Sequence, residues 1–208
     1  MDEYEFEPVR GLPERLPAGE RLLWQGSPSW RALAIRAFHV RKIGIYFAVL
    51  LAWRLVLAWR DGEALRDTLL AAAWLVPLAA AAIGLLCAVA WLTARSAVYT
   101  ITDRRVVMRV GVVLEVAFNL PLTSIEGASV QIHRDGTADI PLELDGKDRI
   151  AYAHLWPHAR PFHVRKPEPM LRCVPDGARV ASVLAGALGG TSRAANDAQA
   201  SPVLAAAR

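Results

Sequence analysis

Two long runs of apolar residues stand out in the pattern of hydrophobic and polar positions, at residues 43–59 and 69–94. At ~1.5 Å of rise per residue, the first run is roughly 25 Å long as a helix, close to the ~30 Å hydrocarbon core of a bilayer. The second run is long enough to cross with a tilt, and we expect Pro77 to kink it. A short polar stretch, residues 60–68, joins the two runs. The pattern therefore predicts a transmembrane helical hairpin over residues 43–94.

The segment before the hairpin has a pattern of its own. In residues 29–42, apolar residues recur at helical spacing, while Arg31, Arg36 and Lys42 lie mostly elsewhere around the helix. An apolar stripe with basic neighbours suits a bilayer surface, so we predict an amphipathic interfacial helix. The alternative is a plain cytoplasmic extension of the first transmembrane helix. Residues 1–28 form an N-terminal arm, which we expect to add a strand to the domain that follows the hairpin.

After the hairpin, the pattern changes to short β-like runs separated by turns such as RDGT and DGKD. The predicted strands cover residues 97–102, 105–110, 112–120, 129–133, 138–144 and 149–155. A last amphipathic helix follows over residues 174–188, with Asp176 placed to cap it. This order predicts a cytoplasmic PH-like antiparallel β-barrel closed by a C-terminal helix over residues 95–188, and residues 189–208 are expected to be a disordered tail. The fold class is therefore an α+β membrane protein.

Composition and charge give the orientation. The 208 residues are 54% hydrophobic and 21% charged, a balance that is unusual for a water-soluble domain. The net charge is +4, and the basic residues lie next to the apolar runs, which favours a membrane surface over nucleic acid. Lys and Arg flank the two ends of the hairpin, while its tip has only Arg60 and Arg66. The positive-inside rule predicts a two-pass protein of the inner membrane with both termini in the cytoplasm.

No motif for catalysis or for ligand binding is present in the sequence. It has neither a nucleotide-binding loop nor a hydrolase or metalloprotease signature. Its two cysteines, Cys87 and Cys173, are far apart, and its histidines come with no acid or thiol that would complete a metal site. We therefore expect a protein that is not an enzyme and that has no catalytic residues, no cofactor and no metal.

Two features of the predicted spans indicate contacts inside the membrane. Arg54 lies within the first span, roughly 9 Å below its outer end. It either snorkels to the interface or pairs with an acidic or carbonyl group on a partner helix. Ala80, Gly84 and Ala88 form a stripe of small residues in the second span. Such a stripe allows close packing, either against the first span or against the helix of a partner.

Residues 155–176 are the candidate for partner recognition outside the membrane. The stretch combines aromatic residues and cations with rigid prolines, features that are common at the energetic centre of protein interfaces. The candidate residues are Trp156, Arg160, Phe162, Arg165, Lys166 and Arg172. The alternative is a loop that only covers the open end of the barrel, with its aromatic side chains in the core.

Three long stretches of the sequence resemble a known family. They are EFEPVRGLPERLPAGERLLWQG, AVYTITDRRVVMRVG with the following FNLPL, and LWPHARPFHVRKPEPMLRCVPD. In this order around a two-helix hairpin, they resemble the PuhB family of photosynthetic complex assembly proteins of purple bacteria, which are membrane proteins with a bacterial PH-like domain. The resemblance covers residues 5–188.

The resemblance implies a function and partners. It implies a non-enzymatic factor that assembles the photosynthetic reaction centre and the core light-harvesting complex in the intracytoplasmic photosynthetic membrane. The implied partners are reaction-centre and core-antenna subunits or other assembly factors, together with membrane lipid, and a homodimer is left open. The family brings no catalytic or ligand-binding residues. The alternative is a membrane-anchored PH-like protein that senses lipid or a signal and has no photosynthetic role.

Overall fold

The computed structural model describes residues 11, 16–145 and 150–190. The chain divides into two compact units, a helical unit of Trp30–Leu92 and a β unit built from the segments on either side of it. Of the predicted disordered tail, residues 189 and 190 are instead helical, and residues 191–208 lie outside the described residues, as do residues 1–10 and 12–15 of the N-terminal arm.

The helical unit begins with two helices, where the sequence predicts one interfacial helix leading into a span. α1 covers Trp30–Arg36 and α2 covers Val40–Arg60. His39, at the start of α2, has a left-handed φ of 54°, and this conformation separates the two helices. α1 is therefore shorter than the predicted helix of residues 29–42.

The second apolar run also forms two helices. α3 covers Leu65–Ala73 and α4 covers Leu75–Ser96, with a break at Trp74. Pro77 explains the break, because it has no N–H to donate to the carbonyl four residues earlier and its ring crowds that carbonyl. The interruption therefore lies one turn before the proline.

Both apolar stretches have the length and composition that a membrane span requires. They are Val40–Arg60 and Arg66–Ser96. In an apolar 18-residue segment of each stretch, only 6% is buried. A core helix of a water-soluble domain would be mostly buried. Most side chains of these two stretches therefore lie outside any protein core formed by the described residues.

The β unit has two antiparallel sheets. The first is ordered β1-β2-β3-β4, with β1 at Leu22–Gly26, β2 at Val98–Thr102, β3 at Arg105–Val110 and β4 at Val116–Pro121. In the second sheet, β7 (Ala138–Leu144) pairs with β5 (Ile125–Ala128), β6 (Gln131–Ile132) and β8 (Met170–Val174). A short helix, α5 (Tyr152–Leu155), lies between β7 and β8. A helix over residues 177–190, α6, follows β8.

One hydrophobic core is shared by the two sheets and α6. Alternate positions of β2 and β3 supply large side chains to it, because successive side chains of a strand point to opposite faces. Its buried members include Tyr99, Ile101, Val106, Met108, Ile140, Leu142, Leu171, Val180 and Leu184. The apolar stripe that predicts the C-terminal helix is thus the face of α6 that is buried in this core.

The two sheets do not close into the predicted barrel. β4 is followed by a short 3-10 turn, Leu122–Ser124, which leads directly into β5. Among the described residues, no strand pairing joins a strand of the first sheet to a strand of the second. The sheets are therefore held together by the chain and by the common core, and not by a continuous hydrogen-bonded ladder.

A second correction concerns residues 149–155, which alternate like a strand. Tyr152–Leu155 is instead helical, and residues 146–149 lie outside the described part of the chain. The physical reason is the pairing of β7, whose first residue pairs with β6 on one side and with β8 on the other. At that end of β7, both edges are therefore occupied.

Ionic contacts hold β1 on the first sheet. The carboxylate of Glu20, just before β1, accepts two hydrogen bonds from the guanidinium of Arg105, at 2.8 and 3.0 Å. The N–H of Arg21 donates to the carboxylate of Asp103 at 2.9 Å and lowers its pKa. The strand that precedes the helical unit is thus fixed beside the strands that follow it.

Candidate partner-binding surface

A buried polar cluster holds the start of residues 155–176, the candidate segment for partner recognition. Tyr99, in β2, and His158, after α5, are both buried, and the Tyr99 hydroxyl lies 2.5 Å from Nδ1 of His158. The backbone N–H of Arg172, in β8, donates to the same hydroxyl at 3.3 Å. Nη1 of Arg172 donates to the carbonyl of Pro157 at 2.7 Å. A strand of each sheet is thus hydrogen-bonded to the start of the segment.

Burial sets the protonation of this cluster. It lowers the pKa of His158 to about 3, and the nearby charge of Arg172 acts in the same direction. Burial also raises the pKa of Tyr99. At neutral pH the imidazole is therefore uncharged and the phenol keeps its proton. The hydrogen bond between the Tyr99 oxygen and Nδ1 of His158 has either atom as its donor, according to which tautomer the neutral imidazole adopts.

From this cluster the chain continues into a closed loop of residues 160–168. Ala159 and Pro169 form an antiparallel bridge at its ends. The N–H of Arg160 donates to the carbonyl of Glu168 at 3.0 Å. The side chains of the same two residues are paired, with Nη1 of Arg160 2.8 Å from Oε2 of Glu168. Backbone and side-chain contacts together hold the ends of the 160–168 loop.

The tip of the 160–168 loop exposes apolar and cationic side chains next to one another. Phe162 is 97% exposed, and Val164 is exposed as well. Arg165 and Lys166 follow with their side chains in solvent. Phe162 also has a φ of 66°, a left-handed conformation that is unfavourable for a bulky residue. Such a tip can bury apolar area and pair with carboxylates or phosphates of a partner.

The structure divides the six candidate residues of this segment into two groups. The exposed ones are Trp156, Phe162, Arg165 and Lys166. Arg160 pairs with Glu168, and Arg172 is buried in the polar cluster. The two aromatic side chains are therefore outside the core, and the two remaining arginines position the loop.

The residues that support the loop do not stand out in the sequence. Tyr99 and His158 are 59 positions apart, so no local pattern connects them. Glu168 is a different case, because it lies eight positions after Arg160 on the far side of a proline-containing turn. A search for opposite charges at the two ends of a loop would have found that pair.

In the helical unit, Arg54 has a partner within the same chain. Its Nη2 lies 2.7 Å from Oε2 of Glu63, in the connection between α2 and α3. The arginine side chain thus extends toward the end of α2, which is the direction that snorkelling requires. A carboxylate of this chain balances its charge there.

The stripe of small residues in α4 does not pack against α2. Ala80, Gly84 and Ala88 are all exposed, and around Gly84 nothing in the described chain beyond its own helix backbone would touch an added Cβ. At Gly44 in α2, the atom closest to an added Cβ belongs to Ile83. A different face of α4 therefore meets α2, and the stripe stays accessible.

Comparisons with known proteins agree with a PH-like fold. Residues 32–188 match the family described as Bacterial PH domain. A protein of Rhodobacter capsulatus, with the name "uncharacterized 23.7 kDa protein in puhA 5'region", is 42% identical over 184 residues, which are 88% of this chain and 86% of the relative. No solved structure matches the chain. The family match begins in α1 and ends in α6, so it includes both the helical unit and the candidate surface.

Proposed function

The chain belongs to the bacterial PH domain family, and from that premise we propose that it is a non-enzymatic assembly factor for the photosynthetic reaction centre and core light-harvesting complex. In this proposal, α2 and the α3–α4 pair anchor the chain in the inner, intracytoplasmic photosynthetic membrane, with both termini in the cytoplasm. The β unit presents the 160–168 loop to a subunit of the complex or to another assembly factor. No reaction is catalysed and no cofactor is required.

Membrane anchoring is supported by the side chains that the long helices expose. Val49 and Trp53 in α2 and Leu85 in α4 are among the exposed large apolar residues. Moving such area from water into lipid is favourable by about 25 cal/mol per Å². Arg41 and Lys42 at the start of α2 place positive charge next to the span, which favours a cytoplasmic location for that end.

A photosynthetic role is supported by two indications, both of which rest on sequence similarity. The printed name of the Rhodobacter capsulatus relative places it in the 5' region of puhA, which suggests a photosynthesis-gene context. The three sequence stretches that resemble the PuhB family point to the same process.

The observation that carries the proposal is the composition of the 160–168 loop. Phe162 is 97% exposed, and an aromatic side chain in that position loses apolar hydration only when a partner covers it. Arg165 and Lys166 beside it would speed association with an acidic surface. The contacts between Arg160 and Glu168 restrict the loop before binding, which lowers the entropy cost of forming a complex.

The test removes the contact groups of the loop and leaves its closed ends intact. Phe162→Ser and the double variant Arg165→Ser/Lys166→Ser change exposed side chains, so the free energy of unfolding should change by about 0.5 kcal/mol or less. Each tagged variant replaces the wild-type protein at equal level in photosynthetically grown cells. We expect Phe162→Ser to lower the recovery of co-purified reaction-centre and core-antenna subunits about tenfold. Mature reaction-centre absorbance in the membranes should fall with it.

A matched control removes two cations from exposed positions outside the loop. Arg134→Ser/Arg179→Ser should leave recovery and absorbance at the wild-type level. If Phe162→Ser behaves like this control, the loop is not the binding site for the complex. If assembly is unchanged but Arg165→Ser/Lys166→Ser reduces binding to vesicles of anionic lipid, the lipid-sensing alternative is favoured.

A further inference from the structure

The loop between β3 and β4, residues 111–115, exposes apolar side chains at the tip of the hairpin. Val113 is 89% exposed and Leu114 is 82% exposed, with Val112 exposed beside them. Gly111 has a φ of 122°, and a Cβ at that position would overlap the carbonyl oxygen of Leu114. The 111–115 loop is therefore tightly closed, and the backbone itself sets the outward display of its apolar side chains.

Two other hairpin tips of the β unit are polar. Asp103 and Arg104 lie between β2 and β3, and Arg134 and Asp135 lie between β6 and β7. Such residues are usual in turns that face water, because they hydrogen-bond to the local backbone and to solvent. The apolar tip of the 111–115 loop differs from these polar turns, and exposed apolar side chains of this kind indicate contact with lipid or with another protein.

Strand register places the 111–115 loop at the end of the sheet where the chain arrives from α4. α4 ends at Ser96, and after one residue Val98 begins β2 and pairs with Arg109. β3 extends one residue beyond that pair, to Val110, which pairs with Val116 at the start of β4. Neighbouring strands are about 5 Å apart. The 111–115 loop therefore projects beyond the first residue of β2. It lies about one strand spacing from the point where the chain enters β2 from α4.

The connection to α1 leaves from the same end of the sheet. Gly26, the last residue of β1, pairs with Tyr99 near the start of β2. α1 then begins at Trp30. Both connections between the first sheet and the long helices thus meet the sheet at the end that carries the apolar loop.

An ion pair neutralises the base of the 111–115 loop. Arg109 precedes the loop and Glu115 closes it, and Nε of Arg109 lies 2.7 Å from Oε2 of Glu115. Bringing an unpaired charge to a surface of low dielectric constant is costly, whereas a hydrogen-bonded pair lowers that cost. The base of the loop is thus compatible with an apolar environment at its tip.

We propose that Val112, Val113 and Leu114 insert into the interfacial region of the bilayer that α2 and α4 cross, as a second and shallower membrane contact. The inference rests on the membrane anchoring in the proposed function and is independent of any photosynthetic role. The occupant is lipid, because a one-residue connection from α4 keeps this end of the sheet at the membrane surface. Apolar side chains there reach the boundary of headgroups and acyl chains, within about 5–10 Å. A tether of this kind supplies a high effective concentration, so a small apolar tip is enough to orient the β unit.

The experiment measures the depth of single positions in lipid vesicles. In a Cys87→Ala background, cysteines at Val113, Val49 and Arg134 are labelled one at a time with an NBD fluorophore. Cys173 is buried and stays unlabelled. The full chain is reconstituted into phosphatidylcholine vesicles that contain lipids with a nitroxide quencher either near the headgroup or deep in the acyl chain. We expect shallow quenching at Val113 to be at least about twofold stronger than at Arg134, with blue-shifted emission, and deep quenching at Val49.

The three labelled positions separate the possible failures. Quenching at Val49 with equally weak quenching at Val113 and Arg134 would overturn insertion of the loop and leave the membrane anchor intact. A Val113 probe that stays in water in vesicles and is shielded only after reaction-centre subunits are added would assign the loop to a protein partner, and would also overturn the inference. An unquenched Val49 would overturn the membrane anchor, and the loop insertion with it.

Discussion

The hydroxyl of Tyr99 connects two parts of the β unit that are remote in sequence. It accepts a hydrogen bond from the N–H of Arg172 at 3.3 Å and shares a hydrogen bond with Nδ1 of His158 at 2.5 Å. Leaving a buried polar group without its partner costs about 1–3 kcal/mol. The position of the 160–168 loop therefore depends on a few buried polar atoms as well as on apolar packing.

The low pKa of His158, about 3, makes the stability of the protein depend on pH. In the unfolded chain an imidazole has a pKa of about 6.5, so below that pH the unfolded state takes up a proton that the folded state excludes. The contribution is fully present above about pH 7 and declines by up to about 1.4 kcal/mol per pH unit as the pH falls toward 3. Between pH 7.5 and pH 5 we expect the free energy of unfolding to fall by about 2 kcal/mol through this residue. The measurement is the melting temperature of the full-length protein in detergent micelles at the two pH values.

Two histidine variants separate this effect from general acid sensitivity. His158→Asn keeps a side-chain amide that can hydrogen-bond to the Tyr99 hydroxyl but has no titrating ring, so it should lose less stability on acidification than the wild type. His154 is exposed, and His154→Asn should follow the wild type. The same loss of melting temperature in all three proteins would contradict the assignment to His158.

At the scale of elements, the end of α2 shows how a charge is accommodated in an apolar helix. Arg54 lies in α2, and its partner Glu63 lies in the connection that follows the helix. The contact lets the arginine extend toward the end of the helix, and it places both charges together there. Arg54 therefore has a counter-charge within this chain.

This pairing predicts how the helices respond to loss of the arginine. We expect Arg54→Leu to lower the free energy of unfolding by about 1 kcal/mol, since the pair is partly exposed and such pairs contribute little. The double variant Arg54→Leu/Glu63→Gln should recover most of that loss, because it leaves no unpaired carboxylate. Both are read from melting temperatures in micelles.

The same variants test the role of Arg54 in complex assembly. Recovery of reaction-centre subunits with tagged Arg54→Leu should stay at the wild-type level. A large loss of subunits with a normally inserted Arg54→Leu protein would show instead that the arginine contacts a partner in the membrane.

At the scale of the whole molecule, the testable property is topology. With two spans and basic flanks, the connection between α2 and α3 should face the periplasm and the β unit the cytoplasm. In a Cys87→Ala background, Ala64→Cys should react with an impermeant maleimide added to intact spheroplasts, and Arg134→Cys should react only after the membrane is permeabilised. Both positions are exposed in their own units. Labelling of Arg134→Cys but not of Ala64→Cys in intact spheroplasts would reverse the proposed orientation.

How much of the fold can be read from the sequence depends on the range of the interactions involved. The apolar runs that predict two spans, and the alternation that predicts β2 and β3, involve neighbours a few positions apart. Residues 112–120 show the limit, because they read as one strand although β4 begins only at Val116. The residues before Val116 belong instead to the tight turn that begins at Gly111. Apolar residues exposed on a loop are of the same types as apolar residues in a strand, so the sequence does not distinguish them.

The sequence by itself determined the properties that depend on local pattern: the two apolar helical stretches, the basic flanks, the alternation of core strands and the residue types of the candidate surface. Only the tertiary structure decided which of those residues are available. It buried Arg172, paired Arg160 with Glu168 and exposed Phe162. It also left the two sheets open where the pattern suggested a barrel. The physical reason is that burial, ion pairing and strand edges depend on groups from distant parts of the chain. The periodicity of a single segment contains no information about those groups.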